Sequence, residues 1–162
     1  LSSDGNAFHT GIVTATSVTG VGTVTSVTAS GIDLSGLLRE GVKITAGKLS
    51  DNTNIDLENG MVHLFTTQET TTSTPNIRFS SSVTLNDVMQ IGESISVTII
   101  TTAAAGGYSA QLTIDGAAVT ENWVGGSAPS DGGSSGVDIH AYTIIKTANA
   151  TFTVIGNQSK TS

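Results

Sequence analysis

The chain has 162 residues, of which 37% are hydrophobic, 4% aromatic and only 12% charged, and its net charge is −7. Because its few lysines and arginines are scattered, the sequence excludes a phosphate-binding groove and attachment to an anionic membrane surface, so no nucleic acid partner is expected. No apolar run is as long as a membrane span, so no membrane insertion is expected either. The absence of cysteine excludes disulfides and cysteine-bound zinc.

Thr, Ser and 19 glycines replace the missing charged residues. β-Branched side chains lose rotamer freedom on a helix, and glycine favours turns, so this composition predicts an all-β protein. The chain begins with Leu1 rather than Met, which is compatible with its being part of a longer protein.

The N-terminal region, residues 1–41, is predicted to be an extended, shaft-like β segment. The quartet Thr-Ser-Val-Thr at 16–19 returns at 25–28, and apolar and hydroxylated residues alternate as in strands with one buried face. Because no side chain as large as Phe8 follows in the repeats, we expect the apolar face to be hidden against identical chains in a homotrimer. The interface residues would be Val13, Val18, Val24 and Val27. A flexible Thr-rich linker is the alternative.

Residues 42–162 are predicted to form one domain of short strands. The predicted strands are 42–46, 48–49, 55–57, 61–66, 77–79, 94–101, 108–114, 118–123, 137–147 and 151–157. A helical turn or an irregular crossover is predicted at 85–91. Closely spaced strands without a βαβ pattern are typical of an antiparallel β-sandwich or jelly roll.

The clearest local structure is a hairpin with arms at His140–Lys146 and Thr151–Ile155, joined by the turn Thr147–Ala150. Asn59-Gly60 is a strong hairpin signal, and Asp115-Gly116 predicts a tight turn.

Three loops, 67–76, 102–107 and 125–136, are rich in small and hydroxylated residues. We expect them to face outward and to contact glycans or another protein through hydrogen bonds.

The histidines His9, His63 and His140 are the first candidates for a chemical role. His63 and His140 could bind a metal, or Asp138 could orient His140 toward a nucleophile. Because no Gly-x-Ser-x-Gly, His-Glu-x-x-His or Cys-His pattern accompanies them, histidines on a strand surface or at an interface are favoured.

The carboxylates are the second group of candidates for a chemical role. The group Asp51, Asp56 and Glu58 fails the EF-hand order because Ile55 stands at a ligand position, so turn residues are favoured over an irregular calcium site. Asp115, Glu121, Asp131 and Asp138 form no recognisable catalytic pair. The chain is therefore expected to be neither an enzyme nor dependent on a cofactor.

Trp123, the single tryptophan, stands at a strand end before a glycine-rich loop. It could be a platform for a sugar or a protein partner, although a plug of the sandwich core is favoured. The candidate surface-contact residues are Trp123, Ser127, Pro129 and Asp131.

Four segments together resemble a module in virion structural proteins of marine T4-like cyanophages, above all their tail-fibre-like proteins. They are Leu112–Gly116, Trp123–Pro129, Tyr142–Thr147 and Phe152–Val154. Val62–Thr67 and Thr74–Arg78 are similar to the opening of that module, and Phe8–Thr16 is similar to the repeat unit before it. The resemblance covers about residues 60–157 and brings no catalytic residues.

The resemblance implies a non-enzymatic, trimeric part of a fibre, appendage or surface decoration at the virion surface, in contact with other virion proteins. Host surface glycans are a possible target of such a part. Two alternatives remain open, namely a capsid decoration protein that stabilises the head shell and a carbohydrate-binding β-sandwich module.

Overall fold

The computed structural model describes residues 35–161. The chain divides into two compact units, Leu1–Leu37 and Leu38–Ser162, and every strand below belongs to the second. The predicted shaft-like segment lies outside the described residues except for positions 35–41, and Val13, Val18, Val24 and Val27 all lie outside them.

The described residues are mostly strand with almost no helix, in agreement with the all-β prediction. The strands are β1 Val42–Thr45, β2 Asn54–Asp56, β3 Val62–Gln68, β4 Asn76–Arg78, β5 Ser94–Thr102, β6 Thr113–Ile114, β7 Ala117–Ala118, β8 Glu121–Trp123, β9 Val137–Ala148 and β10 Thr151–Lys160. A single helical turn, α1, spans Leu85–Val88, and a 3₁₀ turn spans Leu57–Asn59.

The strands form two mixed sheets. Sheet A has the order β1-β3-β5-β9-β10-β8, and sheet B has the order β2-β4-β6-β7. The pairs β1–β3, β3–β5, β8–β10, β2–β4 and β4–β6 are parallel, whereas β5–β9, β9–β10 and β6–β7 are antiparallel. The prediction of antiparallel pairing is therefore wrong for five of the eight strand pairs, namely those among the first six strands and the pair β8–β10.

The parallel pairs arise because the chain alternates between the sheets, with β1, β3 and β5 in sheet A and β2, β4 and β6 in sheet B. Each time the chain returns to a sheet, it places a β-branched or aliphatic residue beside the equivalent residue of the preceding strand of that sheet. In sheet B the row is Ile55, Ile77 and Ile114, all fully buried or nearly so. Stacking β-branched side chains in register buries them without any local hairpin.

This alternation makes the hairpin prediction at Asn59-Gly60 wrong. The two residues connect β2 in sheet B to β3 in sheet A, so the flanking strands do not pair. Gly60 has φ 118°, and a Cβ there would lie 2.8 Å from the carbonyl oxygen of Gly41. A glycine is needed at this position for a crossover rather than for a hairpin turn.

Both sheets contribute to a single hydrophobic core. Its members are Leu49, Ile55, Leu57, Phe65, Ile77, Leu85, Met89, Val97, Ile99, Leu112, Ile114, Tyr142, Ile144 and Val154. The largest fully buried side chains are Tyr142 and Phe65, and most of the others are aliphatic.

The hairpin of β9 and β10 is confirmed, with longer arms than predicted. Ala148 pairs with Thr151, so the turn is reduced to Asn149-Ala150, and the register shifts between Thr151 and Phe152. Alternate residues of β9 are buried along most of its length, which places this strand at the centre of sheet A.

Three other predicted strands differ from the structure. The segment 48–49 is not a strand and lies in the loop between β1 and β2. The segment 118–123 is divided, since β7 pairs in sheet B and β8 pairs with β10 in sheet A. Of the segment 108–114 only β6 is strand. The Asp115-Gly116 turn between β6 and β7 is confirmed, with φ of 51° and 80°.

Candidate functional site: a cluster of loops at one sheet edge

Four loops meet at one edge of the sheets. β1, β3 and β5 are parallel, so the segments that follow them, 46–53, 69–75 and 103–111, start at the same edge. β9 is antiparallel to β5, and the segment before it, 124–136, therefore ends there too. We call these four segments the loop cluster, which contains most of the three loops predicted to face outward.

Backbone hydrogen bonds join the loops to one another. The N–H of Ser73 donates to the carbonyl of Tyr108 at 3.0 Å, and the N–H of Gly132 donates to the carbonyl of Ala105 at 2.8 Å. The buried hydroxyls of Ser73 and Ser109 lie 2.7 Å apart. The segments 69–75, 103–111 and 124–136 therefore form one connected unit.

Glu69 is the polar centre of the loop cluster, although its side chain is only 1% exposed. Its carboxylate accepts hydrogen bonds from the N–H and hydroxyl of Ser50 at 2.7 and 2.9 Å, and from the N–H of Thr70 at 2.9 Å. The N–H and hydroxyl of Thr71 donate to the same carboxylate at 3.0 and 3.1 Å. Burial raises the pKa of this carboxyl, but the hydrogen bonds from Ser50 and Thr71 outweigh it, so the pKa lies below its usual value.

Two glycines allow the loops to approach this closely. A Cβ at Gly107 would overlap the carbonyl of Glu69, and a Cβ at Gly132 would overlap the carbonyls of Ala104 and Gly107. Both glycines are buried. The loop at 125–136, which was expected to be exposed along its length, is therefore held in the cluster at its centre.

Asp138, near the start of β9, holds part of the loop cluster in place. Its Oδ2 accepts hydrogen bonds from the N–H of Gly133 at 2.8 Å and from Nε2 of Gln158 at 2.9 Å, and its side chain is fully buried. Among residues 35–161, its Oδ1 has no hydrogen-bond partner. The carboxylate thus orders a loop instead of orienting His140.

The histidines of the strands are not brought together. His63 and His140 share the inner face of sheet A, but Ile99 lies between them in register. His63 Nε2 is 3.1 Å from the carbonyl oxygen of Gly60, whereas neither ring nitrogen of His140 has a hydrogen-bond partner in the described part of the chain. Burial lowers the pKa of His140 to about 4 and also lowers the pKa of His63. With His140 only 1% exposed, a substrate has no access to this ring.

Trp123 packs against the core from the end of β8. Its ring meets that of Tyr142 edge to face, with centroids 6.1 Å apart and planes at 69°. It also lies on Gly156, where a Cβ would come within 2.9 Å of the indole. The ring remains partly exposed, so Trp123 fills core volume and still presents part of its surface beside the loop at 124–136.

The other candidate contact residues lie along the same loop. Ser127 and Asp131 are exposed, and Pro129 is half-buried. Asp131 forms an ion pair with Lys160 at 2.7 Å, and the hydrogen bond from Lys160 holds the pKa of this carboxyl below its usual range. Because this ion pair is exposed, it contributes little to the free energy of folding, and its effect is to position the loop.

The outer surface of the loop cluster is rich in hydroxyl groups. The exposed hydroxyl-bearing residues are Thr70, Thr71, Thr72, Thr74, Ser127, Ser130, Ser134 and Ser135. Hydroxyls both donate and accept, so this surface is suited to polar, uncharged partners.

The candidate calcium residues do not form a site. Asp56 makes a hydrogen-bonded ion pair with Arg78 at 2.5 Å, and Asp51 and Glu58 are exposed turn residues. Between residues 35 and 161 no three His, Asp or Glu side chains are grouped as metal ligands.

Sequence reasoning missed Glu69 and Lys146. Lys146 is 6% exposed, and its ammonium donates to the carbonyls of Asn86 and Met89 at 2.5 and 2.8 Å, which closes the end of α1. The burial of Lys146 could have been predicted from the sequence, because this residue continues the pattern in which every second residue of β9, such as His140, Tyr142 and Ile144, faces the core. Glu69 stands in a polar Thr-rich run, where no local pattern predicts burial.

Comparisons with known proteins give no match among family models, curated protein sequences or solved structures. Within residues 35–161, no helix has the length and apolar character needed to cross a membrane.

Proposed function

We propose that this chain is a non-enzymatic structural protein of a phage virion, a fibre or appendage module that serves assembly and surface attachment. The observation that carries the proposal is the loop cluster, a hydroxyl-rich surface held in one conformation by Glu69, Asp138 and close glycine contacts. Rigid loops on a β scaffold favour recognition because little conformational entropy is lost on binding.

The proposal includes an architecture. The two sheets that share one core are the layers of a sandwich- or jelly-roll-like domain, and residues 1–41 are an extended shaft before it. Three copies assemble in the virion, with the loop cluster facing outward. The sequence resemblance to tail-fibre-like proteins of T4-like cyanophages supports this assignment.

Labelling of intact virions with an antibody against residues 42–162 tests the location. Label on fibres or appendages is the expected result. Label over the head shell would contradict it and would favour the capsid decoration alternative, and no label on any virion would overturn both.

Binding of the purified chain to host cells tests the role of the loop cluster. We expect Thr72→Lys and Ser135→Lys to reduce binding at least tenfold, because both side chains are exposed in the cluster. Thr120→Lys is the matched control, since Thr120 is equally a solvent-exposed residue but lies between β7 and β8. Equal binding by all three variants would exclude the loop cluster as the contact surface.

The partly exposed Trp123 beside the hydroxyl-rich loop favours a second candidate, a carbohydrate-binding module. A glycan array decides between them. Binding that Trp123→Phe retains and Trp123→Ala loses would support sugar stacking on the ring. An array without any bound glycan would remove this candidate.

A further inference from the structure

The outer face of sheet A has an unusual composition. In β1, β3, β5 and β9, every second residue points away from the core, and none of these outward positions carries a charge. They include Val42, Ile44, Val62, Leu64, Ser94, Ser96, Thr98, Ile100, Thr102, Val137, Ile139, Ala141, Thr143 and Ile145. A sheet face in contact with solvent normally carries charged side chains.

The charged residues of sheet A occupy the opposite set of positions. Lys43, Asp138 and Lys146 alternate with the outward residues of their strands, and Lys160 and Glu121 have the same register as the inward-facing Asp138 and Val154. Asp138 and Lys146 are buried with hydrogen-bond partners, and Lys43 and Lys160 are exposed on the same side of the sheet, while the outer face has no charge. Solvation alone would favour the reverse arrangement.

Apolar side chains are contiguous on this face. Ile44 pairs with Leu64, Leu64 with Ile100, and Ile100 with Ile139, so four aliphatic residues form one row across four strands. Val42, Val62 and Thr98 form the adjacent row. At the edge of the sheet Ile44 is 63% exposed and Val42 48%. We call these two rows, with Ala141 of β9, the apolar patch.

We propose that the outer face of sheet A, centred on the apolar patch, packs against a second copy of this chain. The face spans five strands, β1, β3, β5, β9 and β10, or about 24 Å at the usual strand spacing of about 4.8 Å. Its length is that of β5, about 30 Å for nine residues. The resulting footprint of about 700 Å² is close to the roughly 800 Å² per partner of a stable protein interface.

Charge favours a second copy over a foreign partner. Each chain has a net charge of −7, so two copies repel one another, and this repulsion is smallest when they meet on a surface without charge. The outer face of sheet A is such a surface among the described strands, and it would bring no carboxylate against a carboxylate. A basic partner would instead be recognised by acidic residues, which this face lacks.

A single introduced cysteine tests the proposal, because the chain has no cysteine of its own. Ile44→Cys places a thiol on the apolar patch, and Ile91→Cys is the matched control. The two isoleucines are 63% and 65% exposed, and Ile91 lies between α1 and β5, outside the patch. The rate of maleimide labelling of each full-length variant is measured over a range of protein concentrations.

We expect labelling of Ile44→Cys to be at least tenfold slower than that of Ile91→Cys at high concentration and to approach it on dilution. Adding Ile100→Lys, which buries a charge in the contact, should restore fast labelling of Ile44→Cys, with circular dichroism as the control for folding. Equal labelling rates at all concentrations would overturn the proposal, whether or not the lysine variant folds. Since only purified chain is used, this outcome is independent of whether the protein belongs to a virion.

Discussion

The carboxylate of Glu69 accepts hydrogen bonds from both the backbone N–H and the hydroxyl of Ser50, 19 residues earlier in the chain. The same carboxylate binds Thr70 and Thr71, so one side chain fixes the loops after β1 and β3. Glu69 is a buried carboxylate with five donors, and among the described residues its charge is compensated by hydrogen bonds with no cation paired to it.

Glu69→Gln should therefore lower the free energy of unfolding by about 2 kcal/mol, since an amide turns one acceptor oxygen into a donor that faces the N–H groups. Urea unfolding at pH 7 measures the change. The control is Glu58→Gln, where the side chain is exposed. If both variants unfold at the same urea concentration as the original chain, Glu69 is not the anchor.

Acid should weaken the fold through the buried ring of His140. Because burial lowers the pKa of His140 to about 4 from an ordinary 6.5, the unfolded chain binds the proton first as the pH falls. The full stability is present above pH 6.5 and declines toward pH 4. Between pH 7 and 4.5 the loss should be about 2.5 kcal/mol, because about 1.36 kcal/mol is lost for each pH unit between 6.5 and 4.5.

Urea unfolding at the two pH values checks this, and His140→Leu provides the comparison. The leucine variant should lose much less stability over the same range, with a smaller remaining slope from His63, whose pKa burial also lowers. An identical slope in both proteins would show that another group is responsible. Glu69 acts at lower pH, because its lowered pKa stabilises the fold above the ordinary value near 4.5 and that stability is lost below it.

Ala150→Gly should stabilise the hairpin of β9 and β10. Ala150 has φ 49°, a left-handed conformation that costs a residue with a Cβ roughly 1 kcal/mol and glycine almost nothing. We expect a gain of about 0.5 to 1 kcal/mol, visible as a higher melting temperature. Ala148→Gly, two residues earlier in the exposed end of β9, should have the opposite effect.

Gly132→Ala should disrupt the loop cluster, since its Cβ would overlap two carbonyl groups of the loop at 103–111. We expect a loss of about 2 kcal/mol and faster amide exchange at position 132, whose N–H donates to Ala105, and at Ser73. Gly41→Ala, where a Cβ meets nothing within 4 Å, is the control. Unchanged exchange at both amides would mean that the loops are not interlocked.

Local features of this fold could be predicted from the sequence, and non-local ones could not. The hairpin of β9 and β10 and the Asp115-Gly116 turn depend on neighbouring residues, and both are found. Pairing of Val62 with Val42 and Thr98 depends on residues 20 and 36 positions away, which no short pattern encodes. The sequence indicates a turn at Asn59-Gly60, but which sheet the next strand joins depends on tertiary contacts.

The candidate site also combines local features that the sequence predicts with non-local features that it does not predict. The loops at 67–76, 102–107 and 125–136 could be recognised by composition, but their meeting at one edge follows from the parallel pairing. The burial of Glu69 follows from that meeting, because its donors come from loops far apart in sequence. Trp123 could be identified as a residue with two alternatives, and its contact with Tyr142 requires β8 to pair with β10.

The position of β9 at the centre of sheet A has a consequence for biosynthesis. β5 has β3 on one side and needs β9 on the other, yet β9 begins only at Val137. A ribosome releases β1, β3 and β5 long before β9, the strand that completes their sheet, and parallel pairs form slowly because they close long loops. We therefore expect residues 42–114 to remain unfolded during translation. The hairpin of β9 and β10, which closes over two residues, would then be the template on which the earlier strands assemble.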